Sequence, residues 1–381
     1  MYEFKMPSLG ADMEDGTFVE WHVQPGQSVA HGQVICVVET QKGAVDVELW
    51  QGGTVAKLIA SPGEKIPVGH VMALVATEGE DWQAIAAAPP APLQAAAPPA
   101  PAPGRLRISP AARRRAAELG VDLAALKPSG VHDVISIADV EAVAKAEPSV
   151  PAAEPAPRDP QAAMRDAIAA AMSRSKREIP HYYLATTINV ERAAAWLEQR
   201  NAAMPISERI LFAALELKAV AFALRKTPEL NGFYRGGAFR PGAGVHLGVA
   251  ISLRGGGLVA PALHDVDKLG LADLMAQLKD LLQRARSGQL RSSEIADPTI
   301  TVTNLGDLGV ETVFGVIYPP QVALVGIGRM TVKPWVTEGV IAPARVLHVT
   351  LSADHRVSDG MRGARFLAEL DRVLQQPEEL E

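Results

Sequence analysis

Two segments rich in alanine and proline divide the chain and rule out a single continuous core. The first runs from Ala84 to Gly104 and the second from Ala144 to Pro160. Such segments lack large apolar side chains to offset the entropy of ordering, and their prolines keep the backbone extended. We therefore expect linkers over residues 81–104 and 144–160. They separate a head (residues 1–80), a middle block (residues 105–143) and a C-terminal block (residues 161–381).

Charge and cysteine content narrow the class of protein. The formal net charge is −6, so the chain has no basic excess to neutralise phosphates, and we do not expect nucleic-acid binding. The single cysteine, Cys36, excludes an internal disulfide framework and lies in the apolar run VICVV, which favours a buried small side chain. The charged N-terminus does not fit a signal peptide, and no stretch is apolar enough for a membrane span. The expected location is the cytoplasm.

The head contains an internal repeat with a constant offset of 37 residues. Under this offset six residues fall on identical ones: Gly16, Thr17, Pro25, Gly26, Gly32 and Val34 match Gly53, Thr54, Pro62, Gly63, Gly69 and Val71. Short β-type runs separated by Pro-Gly turns occur in both halves. The repeat predicts a small β-sandwich with approximate two-fold symmetry. Lys42, in VETQKGAVDVE, lies between the halves, where a hairpin must connect them; the alternative is an ordinary solvated lysine.

The C-terminal block mixes helical and strand patterns. A helical period covers Ser207 to Lys226, and a second helix is expected from Asp359 to before Pro377. The apolar side of that second helix consists of Phe366, Leu367, Leu370, Val373 and Leu374. Strands are predicted at Val245 to Leu253, Ile300 to Leu305, Val322 to Gly328 and Arg345 to Asp354. In the last of these, Leu347, Val349 and Leu351 alternate with polar residues, so one face is expected to be apolar.

Three residues of this block are candidates for chemistry. His355 follows a strand directly, a position where a rigid scaffold can hold a reactive side chain. Asp359 follows four residues later and is suited to cap the next helix, which would fix its carboxylate beside His355. Thr303 lies at a strand end in ITVTNLGDLG, with an ordinary strand residue as the alternative.

Other polar residues receive structural interpretations. His181, His246 and His264 have no comparable partners in the sequence, so we expect them to be structural. The turn Arg254 to Gly257 lacks the lysine and hydroxyl ending of a phosphate loop and the spacing of a dinucleotide fingerprint. A hairpin turn is the expected structure there.

The head resembles the lipoyl domain of the dihydrolipoamide acyltransferases (E2) of 2-oxo acid dehydrogenase complexes. The similarity lies in GTFVEW, GQSVAHGQVICVV and ETQKGAVDVE, whose lysine matches the family's E-T-D-K-type hairpin turn. It implies an all-β domain with (R)-lipoate in amide linkage on Lys42, attached by a lipoate ligase or transferase. Gln41 stands where the family has an acidic residue. A biotin carrier has a similar fold, but its lysine lies between methionines, whereas Lys42 lies between Gln41 and Gly43.

The middle block is similar to the same family's peripheral-subunit-binding domain. The similarity lies in ISPAARRRAAELGVDL and ADVEAV. It implies a small helical domain over residues 105–143 that binds the 2-oxo acid decarboxylase (E1) and dihydrolipoamide dehydrogenase (E3). The string PSGVHDVI departs from the family's G-x-G-x-x-G-R-I, and Val134 stands where the family has arginine.

The C-terminal block carries four strings in family order: SKREIPHYYL, PELNGFY, VTNLGDLGVETVFGVIYPPQVALVGIG and LSADHRVSDG. They imply a chloramphenicol-acetyltransferase-like α/β (α+β) catalytic core with coenzyme A as substrate and no metal. In that interpretation His355 is the general base, Thr303 donates to the oxyanion, and Asp359 holds the loop through Arg356. Ala353 replaces a tyrosine often found before the DHR motif.

The resemblance also implies homotrimers that assemble into a larger core, with His355 from one chain and Thr303 from the next. Acetyl, from pyruvate or acetoin, is the first choice of acyl group. Branched-chain acyl and succinyl groups remain open within the family. The alternative from another class is a non-catalytic lipoyl-bearing scaffold or docking protein.

Overall fold

The computed structural model describes residues 1–9, 13–40, 43–77, 80–87, 107–108, 116, 134–135, 160–253 and 257–381. The chain forms two compact units. One consists of Met1–Ala87 together with Asp159–Glu381, and the other is Ala88–Arg158.

The head is an all-β structure of two four-stranded sheets. Its strands are β1 (Tyr2–Lys5), β2 (Asp15–Trp21), β3 (Ser28–Val29), β4 (Gln33–Thr40), β5 (Gly43–Leu49), β6 (Gly53–Leu58), β7 (Lys65–Pro67) and β8 (Val71–Ala76), followed by helix α1 (Trp82–Ala87). One sheet has the order β1-β8-β6-β3 and the other β5-β4-β2-β7. Alternate residues of both sheets, among them Phe18, Ile35 and Met72, fill the space between the sheets. Cys36 is buried there as predicted, and burial raises the pKa of its thiol.

The predicted two-fold symmetry of the head is confirmed. The 37-residue offset carries β2, β3 and β4 onto β6, β7 and β8, so the two sheets have equivalent strand orders. Equivalent backbone bonds accompany them: Gly26 N–H donates to the Val55 carbonyl (2.7 Å), and Gly63 N–H donates to the Phe18 carbonyl (2.8 Å). Both glycines have left-handed φ angles, +88° and +82°, which explains why each turn needs a glycine after its proline.

In the second unit the described backbone is limited to two short strands and one helical residue. Strand β9 (Arg107–Ile108) pairs in parallel with β10 (Val134–Ile135). Ala116 is helical and buried. Of the linker predicted over residues 81–104, residues 81–87 are described and Trp82–Ala87 form helix α1, and Pro160 of the second linker begins a further helix. The other linker residues, and otherwise the partner-binding surface predicted over residues 105–143, lie outside the described residues.

The C-terminal block is an α/β structure. Its helices are α2 (Pro160–Glu178), α3 (Glu191–Ala202), α4 (Phe212–Leu224), α5 (Leu271–Ser287), α6 (Ser292–Ala296) and α7 (Gly360–Leu374). Its strands are β11 (His181–Asn189), β12 (Gly232–Arg235), β13 (Ala238–Pro241), β14 (Leu247–Val249), β15 (Ile251–Ser252), β16 (Leu258–Val259), β17 (Ala262–Leu263), β18 (Leu290–Arg291), β19 (Ile300–Asn304), β20 (Ala323–Ile327), β21 (Thr331–Thr337) and β22 (Val340–Asp354). Short 3-10 turns occur at Ile206–Glu208, Pro228–Leu230, Gly306–Leu308 and Pro377–Leu380.

One mixed sheet organises this block. Its order is β11-β22-β20-β19-β14-β17, with β21 also paired to β22. The central strand β19 runs parallel to both β14 and β20, whereas β11, β20 and β21 pair with β22 in the antiparallel sense. Helix α4 is buried on nearly all sides, and α7 buries the five apolar residues predicted for it. The fold class predicted from the sequence, a multidomain chain with an all-β head and an α/β C-terminal block, is confirmed.

Two predicted elements differ from the observed ones. The helix predicted from Ser207 starts instead at Phe212, because the Asn201 side chain bonds both backbone groups of Ile210 and holds it outside the helix. The strand predicted over Val245 to Leu253 is divided into two pieces that pair with different strands. β14 pairs with β17 and β19, whereas β15 pairs with β16.

From Val349 to Asp354, the long strand β22 is buried on both faces. Leu347, Val349 and Leu351 lie in the main core, as predicted. The opposite face, with Thr350 and Ser352, is covered by the segment 309–318, and both hydroxyls donate to its carbonyls.

Among the described residues, no helix is long and apolar enough to cross a membrane. The same residues contain no group of three or more histidine, cysteine or acidic side chains placed to hold a metal ion.

Candidate active site

His355 is the first residue beyond β22, at the wall of an open cavity of about 630 Å³. Its backbone N–H donates to the Pro180 carbonyl (3.0 Å). Its ring lies edge-on to Tyr182, with centroids 5.3 Å apart, and the Tyr182 hydroxyl is 2.9 Å from that of Ser358. The remaining side of the imidazole is open to solvent. The cavity is lined by Glu229, His355, Arg356, Val357, Ser358, Asp359 and Arg362.

Arg356 is fixed beside His355 by a buried carboxylate. Asp354 is fully buried and accepts from the Arg356 backbone N–H (2.9 Å), Nε (3.0 Å) and Nη2 (2.7 Å). The guanidinium also lies 4.0 Å from the centroid of the Tyr234 ring. The expectation that Asp359 acts through Arg356 is therefore wrong, since Asp354 is the carboxylate that Arg356 binds. The role of Asp354 was not predicted from the sequence, although an acidic residue directly before His355 at a strand end was the available signal.

Asp359 caps helix α7, as predicted. Its Oδ1 accepts from the Arg362 backbone N–H (2.9 Å). The N–H groups of Arg362 and Met361 hold the pKa of the Asp359 carboxyl below its usual range, with a smaller contribution from His355. The Arg362 side chain extends to Glu229, with N and O 2.9 Å apart. The cap thus holds the carboxylate beside His355 in the same cavity.

Thr303 lies in a different cavity of the same chain. It is half-buried on β19, opposite Gly326 of β20. The cavity measures about 770 Å³ and also contacts Phe233, Val313 and Tyr318. No described residue lines both cavities. Within one chain, His355 and Asp359 are together, and Thr303 is apart from them.

A buried carboxylate anchors the end of β19, and the sequence reasoning missed it. Asn304, next to Thr303, donates from Nδ2 to Glu216 Oε2 (2.7 Å) and accepts from the Gly306 N–H (2.8 Å). Glu216 lies on the buried helix α4, and burial raises the pKa of its carboxyl to about 7. The available signal was a single acidic residue in a helix, FAALELKAVAFAL, whose other residues are apolar except for Lys218.

Two of the three histidines interpreted as structural are consistent with that role. His181 contacts the Ile179 carbonyl with Nδ1 (2.9 Å), and its Nε2 accepts from the Ile317 N–H (3.1 Å). His246 accepts from the Asp265 N–H (3.1 Å). His264 has a carboxylate partner that is distant in the sequence: its Nε2 lies 3.0 Å from Asp297 Oδ2, and this hydrogen bond raises the pKa of the imidazole.

The remaining predicted positions fall partly outside the described residues. Gln41 and Lys42 lie outside the described residues, but their neighbours Thr40 and Gly43 are paired at the end of the β4–β5 ladder. Residues 254–256 also lie outside. The strands on either side of them, β15 and β16, pair antiparallel as a hairpin requires.

Comparison with family models gives three matches in chain order. Residues 154–381 match the catalytic domain of the 2-oxoacid dehydrogenases acyltransferase family. Residues 2–75 match the model described as biotin-requiring enzyme, which covers biotin and lipoyl domains, and residues 106–141 match the e3 binding domain.

Whole proteins and solved structures agree with these matches. The acetyltransferase component of the Rhizobium meliloti pyruvate dehydrogenase complex is 32% identical over 98% of this chain and 98% of its own length. A crystal structure of the Azotobacter vinelandii dihydrolipoamide acetyltransferase, in which a serine, a histidine and an asparagine were studied for their catalytic role, has a TM-score of 0.54 at 25% identity. It covers 57% of this chain and 90% of that one.

A structure of the cubic core of a pyruvate dehydrogenase multienzyme complex has the same TM-score, 0.54, at 26% identity, and covers 57% of this chain and 90% of its own. These likenesses concern the C-terminal block, whereas the family models extend over all three blocks. The chain belongs to the 2-oxoacid dehydrogenase acyltransferase family.

Proposed function

We propose that this acyltransferase transfers an acetyl group from a lipoyl-lysine thioester to coenzyme A, as the E2 component of a pyruvate-type 2-oxo acid dehydrogenase complex. The observation that carries the proposal is the open cavity at the end of β22. There the His355 imidazole is exposed while Asp354, Arg356 and Asp359 fix the loop around it. The acetyl assignment is supported by relatives such as the Rhizobium meliloti protein. Branched-chain and succinyl transfer remain the alternatives.

The reaction requires a thiolate. A thiol with a pKa of roughly 8.5 is mostly protonated at neutral pH, so a general base at the cavity wall accelerates its attack. His355 takes the proton from the coenzyme A thiol, and the thiolate attacks the carbonyl of the thioester substrate. When the carbon–sulfur bond of the substrate breaks, His355 returns the proton to the departing thiolate, which leaves as the thiol. Its position on a rigid strand end, restrained by Tyr182 and Pro180, suits this role.

Thr303 is proposed to donate a hydrogen bond to the tetrahedral oxyanion. A donor of this kind contributes about 2.7 to 4 kcal/mol to the transition state. Since Thr303 and His355 line separate cavities, we infer that the complete site forms between two chains, His355 from one and Thr303 from the next. Homotrimers built in this way, assembled into a larger core, fit the proposal.

The β4–β5 turn fits a covalently attached lipoyl group, and we propose Lys42 as its attachment residue. Gly43 is exposed, and a Cβ atom built on it would meet nothing within 4 Å, so the flank of the turn is open. A lipoyl group there would supply the thiol that carries the acyl group. Mass spectrometry of the Lys42 peptide tests this directly, and biotin on Lys42 would support the carrier alternative instead.

We further propose the domain boundaries 1–80, 105–143 and 161–381, with linkers between them. The family matches to residues 2–75, 106–141 and 154–381 support this division. We propose that the middle block binds E1 and E3 and that a lipoate ligase or transferase modifies the head. The proposed location of the complex is the cytoplasm.

The substitution His355→Ala tests the catalytic assignment. We expect it to abolish acetyl transfer from free acetyl-dihydrolipoamide to coenzyme A, because no base then faces the thiol, while the head is still lipoylated. His70→Ala, at an exposed histidine of the head, is the control. Normal turnover by His355→Ala would refute the assignment. Absence of transfer by the unsubstituted protein would favour the scaffold alternative.

A further inference from the structure

The outer strand of one sheet of the head is covered by the C-terminal block. Strand β18 pairs in parallel with β5, so that Leu290 lies opposite Val45 and Arg291 opposite Asp46. Under the symmetry of the head, the counterpart of β5 is β1, the outer strand of the other sheet. No strand among the described residues covers the free edge of β1. Because an edge strand presents unpaired N–H and C=O groups, strand addition at β5 but not β1 indicates a specific contact.

The contact beside this strand pair is polar and buried. Glu48 Oε2 accepts from the Ser293 hydroxyl (2.6 Å) and the Ser293 N–H (3.3 Å), and the Glu48 N–H donates to the Ser292 hydroxyl (3.2 Å). Glu48 is only 7% exposed. A buried carboxylate costs free energy unless donors satisfy it, so Glu48 favours a surface that supplies these serines.

An apolar residue completes the contact. Ile295, on α6, packs against both the core of the C-terminal block and the core of the head. The surface formed by β18, Ser292, Ser293 and Ile295 is called the docking surface below. It combines strand pairing, a satisfied charge and apolar burial, the elements of a specific protein contact.

The same contact brings the start of β5 to the cavity of Thr303. Gly43, Ala44 and Val45 line that cavity of about 770 Å³ together with Thr303. Leu290 and Ile295 of the docking surface line it as well. Lys42 immediately precedes Gly43 in the sequence. The contact therefore places the flank of the proposed attachment turn at the cavity that holds the proposed oxyanion donor.

We propose that the docking surface binds the head of the same chain and brings the start of β5, which follows Lys42 in the sequence, to the Thr303 cavity, with Glu48 as the specificity-determining residue. This inference rests on the proposed function. The C-terminal block then recognises the protein domain that carries the thioester as well as the thioester itself. The recognition is asymmetric: among the described residues, the C-terminal block adds a strand at the β5 edge and none at the equivalent β1 edge.

A cross-link tests the contact without requiring activity. Asp46→Cys combined with Arg291→Cys joins two positions paired across the strands, within the Cα separation of about 4.4 to 6.8 Å that a disulfide tolerates. We expect mild oxidation of the full-length, unlipoylated chain to link these positions within one chain, as mapped by peptide mass spectrometry. Native Cys36 is buried and does not compete. Lys5→Cys with Arg291→Cys, which uses the equivalent edge strand β1, is the matched control and should not link. The absence of a link between positions 46 and 291, or a link between two chains, overturns the proposal.

A kinetic comparison tests whether the contact promotes acetyl transfer from the protein's own head. The measured quantity is the ratio of two rates: single-turnover acetyl transfer from the protein's own lipoyl head, and transfer from free acetyl-dihydrolipoamide. We expect Glu48→Lys to lower this ratio about 10-fold, and Ser293→Ala, on the opposite side of the contact, to lower it about 5-fold. Lys5→Glu, on the exposed β1 edge, is the charge-reversal control. An unchanged ratio in both test variants overturns the docking proposal. Failure of the unsubstituted protein to use free acetyl-dihydrolipoamide instead overturns the proposed function and leaves the cross-link result standing.

Discussion

At the scale of single residues, Asp359 lies beside His355, yet its carboxylate is bonded to the backbone of α7. If the role of Asp359 is to cap α7 and position the loop beside His355, asparagine should be able to substitute for it, because asparagine caps helices about as well as aspartate. We expect Asp359→Asn to keep both the melting temperature and kcat for acetyl transfer close to those of the unsubstituted protein. Asp359→Ala removes the cap and should lower both.

Measuring both the melting temperature and kcat for each variant separates a loss of stability from a loss of catalysis. An Asn variant as inactive as the Ala variant, but with a normal melting temperature, would show that the negative charge is required.

Glu216 gives the C-terminal block a pH-dependent stability. Burial raises the pKa of its carboxyl from 4.5 to about 7, against the hydrogen bond from Asn304 and with a further increase from Asp307. Between these values the folded state holds a proton that the unfolded state has released. The free energy of unfolding therefore falls by on the order of 3 kcal/mol as the pH rises from 4.5 to about 7. Above that pH this group causes no further change.

The substitution Glu216→Gln should remove this dependence, since glutamine stays neutral and its amide oxygen still accepts from Asn304. Urea unfolding at pH 5 and pH 8 measures the effect: the advantage of the Gln variant should grow with pH. Asp307→Asn is the control: it lowers the pKa of Glu216 in the folded state, so the fall in stability should be smaller and end at a lower pH. Parallel pH profiles of the Gln variant and the unsubstituted protein would contradict the assignment.

At the scale of elements, the segment 309–318 packs directly on the sheet beside Thr303. A Cβ atom on Gly326 would lie 2.3 Å from the Val313 carbonyl oxygen, so only glycine allows this approach. We expect Gly326→Ala to displace the segment and lower the free energy of unfolding by about 1–3 kcal/mol. Urea denaturation measures this loss.

The matched control is Gly360→Ala, at the first residue of α7, where an added Cβ meets nothing within 4 Å. Alanine has a higher helix propensity than glycine, so this variant should be as stable as the unsubstituted protein or slightly more stable. Equal losses in the two variants would show that close packing against β20 is not the cause.

Elements with a regular period could be predicted from the sequence, and contacts between distant side chains could not. The 37-residue repeat predicted the symmetric head because equal spacing produces equal turns, and the period of Phe366 to Leu374 predicted the buried face of α7. The start of α4 was missed because a distant side chain, Asn201, holds Ile210.

The same limit applies to the site. His355 and Asp359 could be placed beside each other because they are close in sequence and a cap has a recognisable pattern. The partner of Arg356 was assigned to the wrong acid, because both Asp354 and Asp359 lie within reach of it along the chain. Asp297 is 33 residues from His264, a separation at which no local pattern reports a contact.

At the scale of the whole molecule, the separation of His355 and Thr303 into two cavities makes a prediction about assembly. If each site combines His355 of one chain with Thr303 of the next, the variants His355→Ala and Thr303→Ala should complement each other. A boundary between a Thr303→Ala chain, which supplies the histidine, and a His355→Ala chain, which supplies the threonine, contains an unaltered site. With random mixing in trimers, about a quarter of all boundaries have this composition.

Co-expression of the two variants in equal amounts should therefore restore acetyl transfer to about a quarter of the unsubstituted level. Each variant alone should be far less active, since loss of an oxyanion donor costs on the order of 100- to 1,000-fold. Mixing the two proteins after separate assembly is the control and should restore nothing while the assemblies stay intact. If co-expressed variants remain inactive although mass spectrometry shows mixed assemblies, both residues must serve a site within one chain.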